Sequence, residues 1–109
     1  MNIQLTYHRR QTTTTNVGGL SIGGEHPVRI QTMANTSTND IEGSVAQAER
    51  CEAAGTELLR FTTQGMREVE SLAQIHHVLQ EKRSHTPLVA DVHFQSDVAD
   101  AAAKVVEKV

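Results

Sequence analysis

Hydrophobic and polar positions follow two different periods along this chain, and together they predict an α/β fold. Short apolar runs rich in β-branched residues lie at 28–33, 58–62 and 88–93, and they predict strands. Between and after these runs, apolar residues recur every three or four positions, which predicts helices. The apolar positions are Ile41, Val45, Ala48 and Cys51 in the first helix, Val69, Leu72, Ile75, His76 and Leu79 in the second, and Val98, Ala101, Ala102 and Val105 in the third.

Local signals mark where these elements begin and end. Asn39 with Glu42 three residues later has capping-box spacing, so we expect Asn39 to cap the first helix and Gly55 to end it. Ser96 is expected to cap the third helix. Two Gly-Gly pairs bracket an alternating run, which predicts a small β-hairpin over 16–24. A glycine-rich phosphate loop is the alternative, but Lys and Ser/Thr do not follow there in P-loop order.

The order of the elements predicts a parallel sheet, because strands separated by helices are joined by right-handed crossovers. We place the strand ends at Gln31, Arg60 and Asp91, about 30 residues apart. An eight-unit barrel of about 250 residues uses about 31 residues per unit, although doubly wound sheets have similar spacing. The predicted fold class is therefore the first three βα units of a TIM (β/α)8 barrel, preceded by an N-terminal β-hairpin. Three units cannot close a barrel, so we expect an incomplete barrel or a small open sheet.

Composition excludes several classes of function. The chain has 109 residues, 13 of them acidic and 10 basic, and its net charge of −3 argues against a binder of nucleic acid. It has only three aromatic residues, too few for a stacking platform. The first 15 residues lack the apolar core of a signal peptide, and no run approaches a membrane span. The single cysteine fits a reducing compartment, so we expect a cytoplasmic protein without a membrane.

Polar residues at the expected strand ends are the candidates for chemistry, since barrel enzymes carry their active sites there. Asp91 and His93 are two apart on a strand and therefore share a face, where they could bind substrate, transfer a proton or ligate a metal. Arg60 could grip a phosphate, or it could form a salt bridge to Asp91. Gln31 and Asn35 could hydrogen-bond a hydroxyl or a phosphate oxygen, although a turn-forming role is more natural for Asn35.

Three further polar residues do not indicate a metal site. His76 and His77 are adjacent on a helix and point about 100° apart, which makes them poor co-ligands, and a helix-surface role is expected. Cys51 lies on the apolar stripe of the first helix and is expected in the core. One cysteine cannot hold zinc or an iron–sulfur cluster alone, so no metal is expected in this chain.

Three motifs in order carry a resemblance to a known family. The runs 28–36 (VRIQTMANT), 59–65 (LRFTTQG) and 87–94 (PLVADVHF) closely resemble 4-hydroxy-3-methylbut-2-enyl diphosphate synthases, the GcpE or IspG family. Residues 9–12 (RRQT) also look like the start of that family. The resemblance extends from about residue 7 to residue 109. The run 62–65 is similar to the longer type of plants and some bacteria, which has an extra domain after the barrel.

The resemblance implies an activity that the spacing alone does not. These enzymes reductively open 2-C-methyl-D-erythritol 2,4-cyclodiphosphate in isoprenoid biosynthesis, using a [4Fe-4S] cluster fed by ferredoxin or flavodoxin. By motif match, Arg60 would grip phosphate, Gln31, Asp91 and His93 would line the pocket, and Asn35 and Arg10 are weaker candidates. Residues 1–109 would be the front of a TIM-barrel substrate domain. The cluster ligands would lie outside this chain, the full protein would be a homodimer, and this piece alone would be inactive.

Three other functions remain open at this point. A pterin-binding transferase of the dihydropteroate synthase type has a similar barrel, but the run 91–94 fits it poorly. A metal-dependent barrel hydrolase could use Asp91 and His93 as ligands and would need further His or Asp at later strand ends. A small non-catalytic α/β module could bind a partner through its sheet edge.

Overall fold

The secondary structure consists of a β-hairpin followed by strands and helices in strict alternation. The computed structural model describes residues 8–109, and residues 1–7, which we assigned to the same domain, lie outside the described part. The hairpin strands are β1 (Thr15–Val17) and β2 (Leu20–Ile22). The later elements are β3 (Gln31–Met33), α1 (Ile41–Ala53), β4 (Leu58–Thr63), α2 (Met66–Glu81), β5 (Leu88–Val92) and α3 (Ser96–Ala103).

The central sheet has three parallel strands in the order β3–β4–β5. Gln31 lies beside Leu58, and Arg60 lies beside Met33 on one side and Val89 on the other. The predicted α/β class and the parallel sheet are confirmed, and the described strands do not close into a barrel. None of the helices in residues 8–109 combines the length and the apolar character that crossing a bilayer requires.

The main core lies between one face of this sheet and the helices. Alternate residues of β4, Leu59 and Phe61, face the helices, as do Leu88 and Ala90 of β5. The helical stripes pack onto them, and the predicted core positions are confirmed for every residue of this set: Val45, Ala48, Val69, Leu72, Ile75, Leu79, Val98 and Ala102. Phe61 is completely buried, so it lies at the centre of the apolar layer that stabilises the fold.

The hairpin covers the opposite face of the sheet at the amino ends of its strands. Val17 packs against Leu58 and Val89 in a second, smaller apolar cluster. Because side chains alternate along a strand, Arg60 and Asp91 follow Leu58 and Val89 on this same face, two residues nearer the carboxyl ends. The hairpin therefore forms an apolar floor beneath the polar residues.

The segment after α3 returns to the sheet beside β5. Lys108 forms a parallel bridge with Val89. Glu107 accepts hydrogen bonds from the backbone N–H of Leu88 at 2.9 Å and from Nε2 of His76 at 2.8 Å. This segment thus ties α2 to the start of β5 and adds backbone pairing to the edge of the sheet.

Three predicted boundaries need correction. The strand expected at 28–33 begins only at Gln31, because pairing with β4 starts there. Asp40, not Asn39, caps α1: its carboxylate accepts from the N–H of Gly43, while the Asn39 amide bonds Ser71 and Glu68. Ser96 is the first residue of α3 rather than its cap. Gly55 follows α1 with a positive φ of 103°, as predicted.

Candidate functional site

A hydrogen-bonded cluster of three charged or titratable side chains lies on the hairpin-facing side of the sheet. Nη2 of Arg60 is 2.9 Å from Oδ1 of Asp91, and Nε2 of His93 is 3.0 Å from the same oxygen. The register makes this contact possible, since Asp91 lies beside Thr62, two residues after Arg60 on the neighbouring strand. The salt bridge that we considered for Arg60 is therefore present, and it brings together Arg60, Asp91 and His93.

The two donors determine the charge state of Asp91. The hydrogen bond from Arg60 lowers the pKa of this carboxyl below its usual value, and His93 acts in the same direction, while burial opposes both. Asp91 is therefore ionised at neutral pH. Its carboxylate can orient the guanidinium and the imidazole but cannot act as an acid there.

The lowered pKa of Asp91 predicts how its contribution to stability changes with pH. A lowered pKa means that the ionised carboxylate stabilises the fold above its unfolded pKa, about 3.9, and that this contribution is lost as pH falls through the folded pKa. We expect Asp91→Asn to lower the free energy of unfolding at pH 7 by less than about 1 kcal/mol, because Arg60 is partly exposed. Urea unfolding of both proteins from pH 7 down to about 3 checks this. A difference that stays constant with pH would contradict it.

An open cavity of about 660 Å³ adjoins the cluster. Its lining includes Gln31, Arg60 and Asp91, together with the unpredicted Phe94 and Lys108. His93, which was also expected to line the pocket, is not among the lining residues and reaches the cluster only through Asp91.

Gln31 lines this cavity, but its expected position was wrong: it is the first residue of β3, level with Leu58, and not at the carboxyl end of its strand. The strand was placed too early because Val28 and Ile30 resemble strand residues. Arg60 was also expected at a strand end, but it is the third residue of β4, which continues to Thr63.

Asn35 belongs to a different part of the surface. Its side-chain oxygen accepts from Nε2 of Gln47 at 2.7 Å, and its backbone N–H donates to Oε1 of Gln47 at 3.0 Å. It lines a separate polar cleft of about 320 Å³ rather than the Arg60 cavity. The structure does not bring Asn35 to Arg60, and its contacts are those of a loop residue.

A buried hydroxyl fixes the loop between β3 and α1, and the sequence did not indicate it. Oγ1 of Thr38 donates to the carbonyl of Thr62 at 2.6 Å, which ties the loop to the strand that carries Arg60. Thr38 is buried, although it lies in a polar run that predicts only an exposed loop. No local pattern distinguishes this threonine from its neighbours, so only the tertiary structure identifies it.

The remaining candidates lie apart from the cluster. Arg10 lines a separate cavity of about 840 Å³ beside the Gly23–Gly24 turn. His77 is on the helix surface and pairs with Glu81, whereas His76 is held by Glu107. Within residues 8–109, no group of three His, Cys, Asp or Glu side chains could hold a metal ion.

Comparison with known proteins places this geometry in a family context. Residues 12–109 match the family described as the GcpE TIM-barrel domain. A 4-hydroxy-3-methylbut-2-en-1-yl diphosphate synthase (flavodoxin) from Parabacteroides distasonis is 52% identical over 94% of the chain, which covers 17% of that relative. The enzyme of the same name from Bacteroides thetaiotaomicron is 50% identical, with the same coverage.

A second kind of relative is named for a different electron donor. The 4-hydroxy-3-methylbut-2-en-1-yl diphosphate synthase (ferredoxin) from Rippkaea orientalis is 46% identical over 95% of the chain, which covers 26% of that relative. The chain thus spans between about a sixth and a quarter of the length of these curated relatives.

Proposed function

The chain belongs to the GcpE family, and from that premise we propose that it supplies part of the substrate pocket of a 4-hydroxy-3-methylbut-2-enyl diphosphate synthase. The observation that carries the proposal is the position of Arg60. Its guanidinium is held by Asp91 at 2.9 Å and at the same time lines the open cavity above the apolar floor. A guanidinium fixed on one side and open on the other is suited to a phosphate oxygen.

In this proposal the three side chains have separate roles. Arg60 binds the diphosphate of 2-C-methyl-D-erythritol 2,4-cyclodiphosphate. Asp91 holds the Arg60 guanidinium and fixes the His93 ring through Nε2. His93 then has Nδ1 as its second ring nitrogen for a hydrogen bond or a proton exchange with the substrate. Gln31 adds an amide to the wall of the same cavity, whereas Asn35 lies in a separate cleft and has no direct role in this proposal.

The fold and domain assignment follow the same premise. We propose that the three strand–helix pairs are the first units of the TIM (β/α)8 barrel, with the hairpin closing its amino end. Residues 1–109 are then the N-terminal part of the substrate-binding domain. Support comes from the match over residues 12–109 and from the parallel pairing of Lys108 beside Val89, where a further strand of a barrel would lie.

The activity of the whole protein is also part of this proposal. It is a cytoplasmic oxidoreductase that reductively opens the cyclic diphosphate with electrons from flavodoxin or ferredoxin and works as a homodimer. The names of the relatives support the electron donors. The 109 residues alone are proposed to bind substrate without turning it over.

The described residues do not fit the [4Fe-4S] cluster that the family assignment implies. Such a cluster needs several thiolates, whereas Cys51 is the single cysteine of the sequence and packs against the helix core. We therefore propose that the cluster ligands belong to residues other than these 109.

A metal-dependent hydrolase is less well supported by the geometry. Asp91 and His93 already share a hydrogen bond, and the guanidinium of Arg60 occupies the same carboxylate oxygen. A cation bound there would lie against a permanent positive charge, which opposes binding. The anion-binding function is the one that the charges favour.

Titration calorimetry of the 109-residue chain with the cyclic diphosphate tests the proposed function. We expect saturable binding at low ionic strength, competition by inorganic pyrophosphate, and weakening with added salt, since an exposed ion contact is screened. Methylerythritol, which has the same carbon skeleton without phosphate, is the control and should not bind. Absence of binding up to about 1 mM, an affinity equivalent to only about 4 kcal/mol, would contradict the proposal.

A further inference from the structure

Phe94 stands at the rim of the Arg60 cavity with its whole side chain in solvent. Its relative exposure is 104%, the highest among the large apolar residues that the structure describes. Its ring lies beside the His93 ring, with 6.1 Å between the ring centroids, and the residue lines the same cavity as Arg60 and Asp91. A fully hydrated phenyl ring lacks the stabilisation that aromatic side chains normally gain from burial.

The backbone of Phe94 is also in an unfavourable conformation. Its φ is +62°, and in the described part of the chain only Arg83 among the other non-glycine residues has a positive φ. Arg83 directly follows the C-cap of α2, where a left-handed residue commonly ends a helix. Phe94 instead precedes Gln95, the N-cap of α3, so the left-handed conformation that ends a helix does not explain it. Strained residues that the surrounding structure holds in place concentrate at ligand sites.

The cavity beside Phe94 has two kinds of lining. Val92, Phe94 and Ala99 contribute apolar surface, while Gln31, Arg60 and Lys108 contribute polar or cationic groups. Such a lining matches a small ligand that has an anionic part and a hydrocarbon part, because each part can then meet a surface of its own kind.

We propose that Phe94 is a specificity-determining residue whose ring packs on the carbon skeleton of an organic diphosphate while Arg60 binds its phosphate. This inference rests on the proposed function and adds to it the feature that distinguishes an organic diphosphate from inorganic pyrophosphate. Contact with the carbon skeleton removes the phenyl ring from water, which is favourable. Inorganic pyrophosphate has no carbon skeleton, so it gains nothing from this contact.

The test compares two probes on the 109-residue chain and its Phe94→Ala variant. The probes are 2-C-methyl-D-erythritol 2,4-cyclodiphosphate and inorganic pyrophosphate, measured by calorimetry at one ionic strength. We expect Phe94→Ala to lower the affinity for the organic ligand by about tenfold, in the range of an apolar pocket contact. The affinity for pyrophosphate should change less than about twofold. Phe94→Leu, which keeps an apolar side chain, should restore most of the lost affinity.

Two further variants separate the possible explanations. Val28→Ala removes another exposed apolar side chain, one that lines a different cavity and not this one, and should leave both affinities unchanged. Phe94→Gly removes the ring and also the strain of a positive φ. It should lower the affinity for the organic ligand as much as Phe94→Ala does. If Phe94→Ala lowers the affinity for both probes equally, or changes neither affinity, the inference is overturned while the proposed function remains intact. If the unaltered chain binds neither probe, the proposed function fails and this inference fails with it.

Discussion

Replacing Arg60 with Met is expected to weaken pyrophosphate binding by on the order of 100-fold. Two effects add: a charge-assisted hydrogen bond to the phosphate is lost, about 1.5–3 kcal/mol, and the Asp91 carboxylate then faces the anion without the guanidinium that neutralises it. Titration calorimetry at low ionic strength measures the change. The fold should be little affected, since the ion pair is partly exposed.

Two control substitutions define what the Arg60 result means. Arg60→Lys keeps the charge but loses the planar fork, so we expect intermediate affinity if the contact is bidentate. Arg50→Met removes an arginine from the exposed surface of α1 and should leave the affinity unchanged. If Arg50→Met weakens binding as much as Arg60→Met does, the affinity for the anion depends only on net charge, and the assignment of Arg60 as a ligand is wrong.

The helices were predictable because burial of one face requires apolar residues at the helical period. Val69, Leu72, Ile75 and Leu79 recur at the helical period, and all four are buried in the core. A polar residue at any of these positions would be placed in the apolar layer, which is energetically costly. The local sequence therefore carries the information, and the interpretation succeeded.

The errors occurred where tertiary pairing decides between equally good local choices. Val28 and Ile30 have the β-branched character of strand residues, yet their side chains are exposed, and the register of β3 with β4 begins only at Gln31. Asn39 and Asp40 are adjacent and both suit an N-cap. Asp40 takes that role while the Asn39 side chain bonds Ser71, a contact over 32 residues of sequence.

The candidate site shows the same division. Alternation along the strand expected at 88–93 placed Asp91 and His93 on one face; β5 ends at Val92, one residue before His93, but the two side chains do share a hydrogen bond. The position of Arg60 relative to them depends on the register between β4 and β5, which sets Thr62 beside Asp91. That register is a property of the assembled sheet, so both alternatives for Arg60 were reasonable. The structure shows that it can pair with Asp91 and still line the cavity.

Phe61→Ala is expected to destabilise the fold by about 3–5 kcal/mol, the largest stability effect of any substitution considered. Phe61 is completely buried between β4 and the helices, so its removal loses transfer free energy and leaves a cavity. The loss approaches the whole free energy of unfolding of a small domain, about 5–15 kcal/mol, so the variant would be partly unfolded at 37 °C. Urea titration followed by circular dichroism measures the shift in midpoint.

Phe94→Ala is the matched control, because it makes the same chemical change at a residue that is fully exposed. It should change the free energy of unfolding by less than about 0.5 kcal/mol, as surface substitutions usually do. The pair thus separates two uses of one side chain: Phe61 stabilises the sheet–helix core, and Phe94 is available to a ligand. If the two variants are destabilised equally, Phe94 is packed in the folded protein, and its assignment to the ligand site must be abandoned.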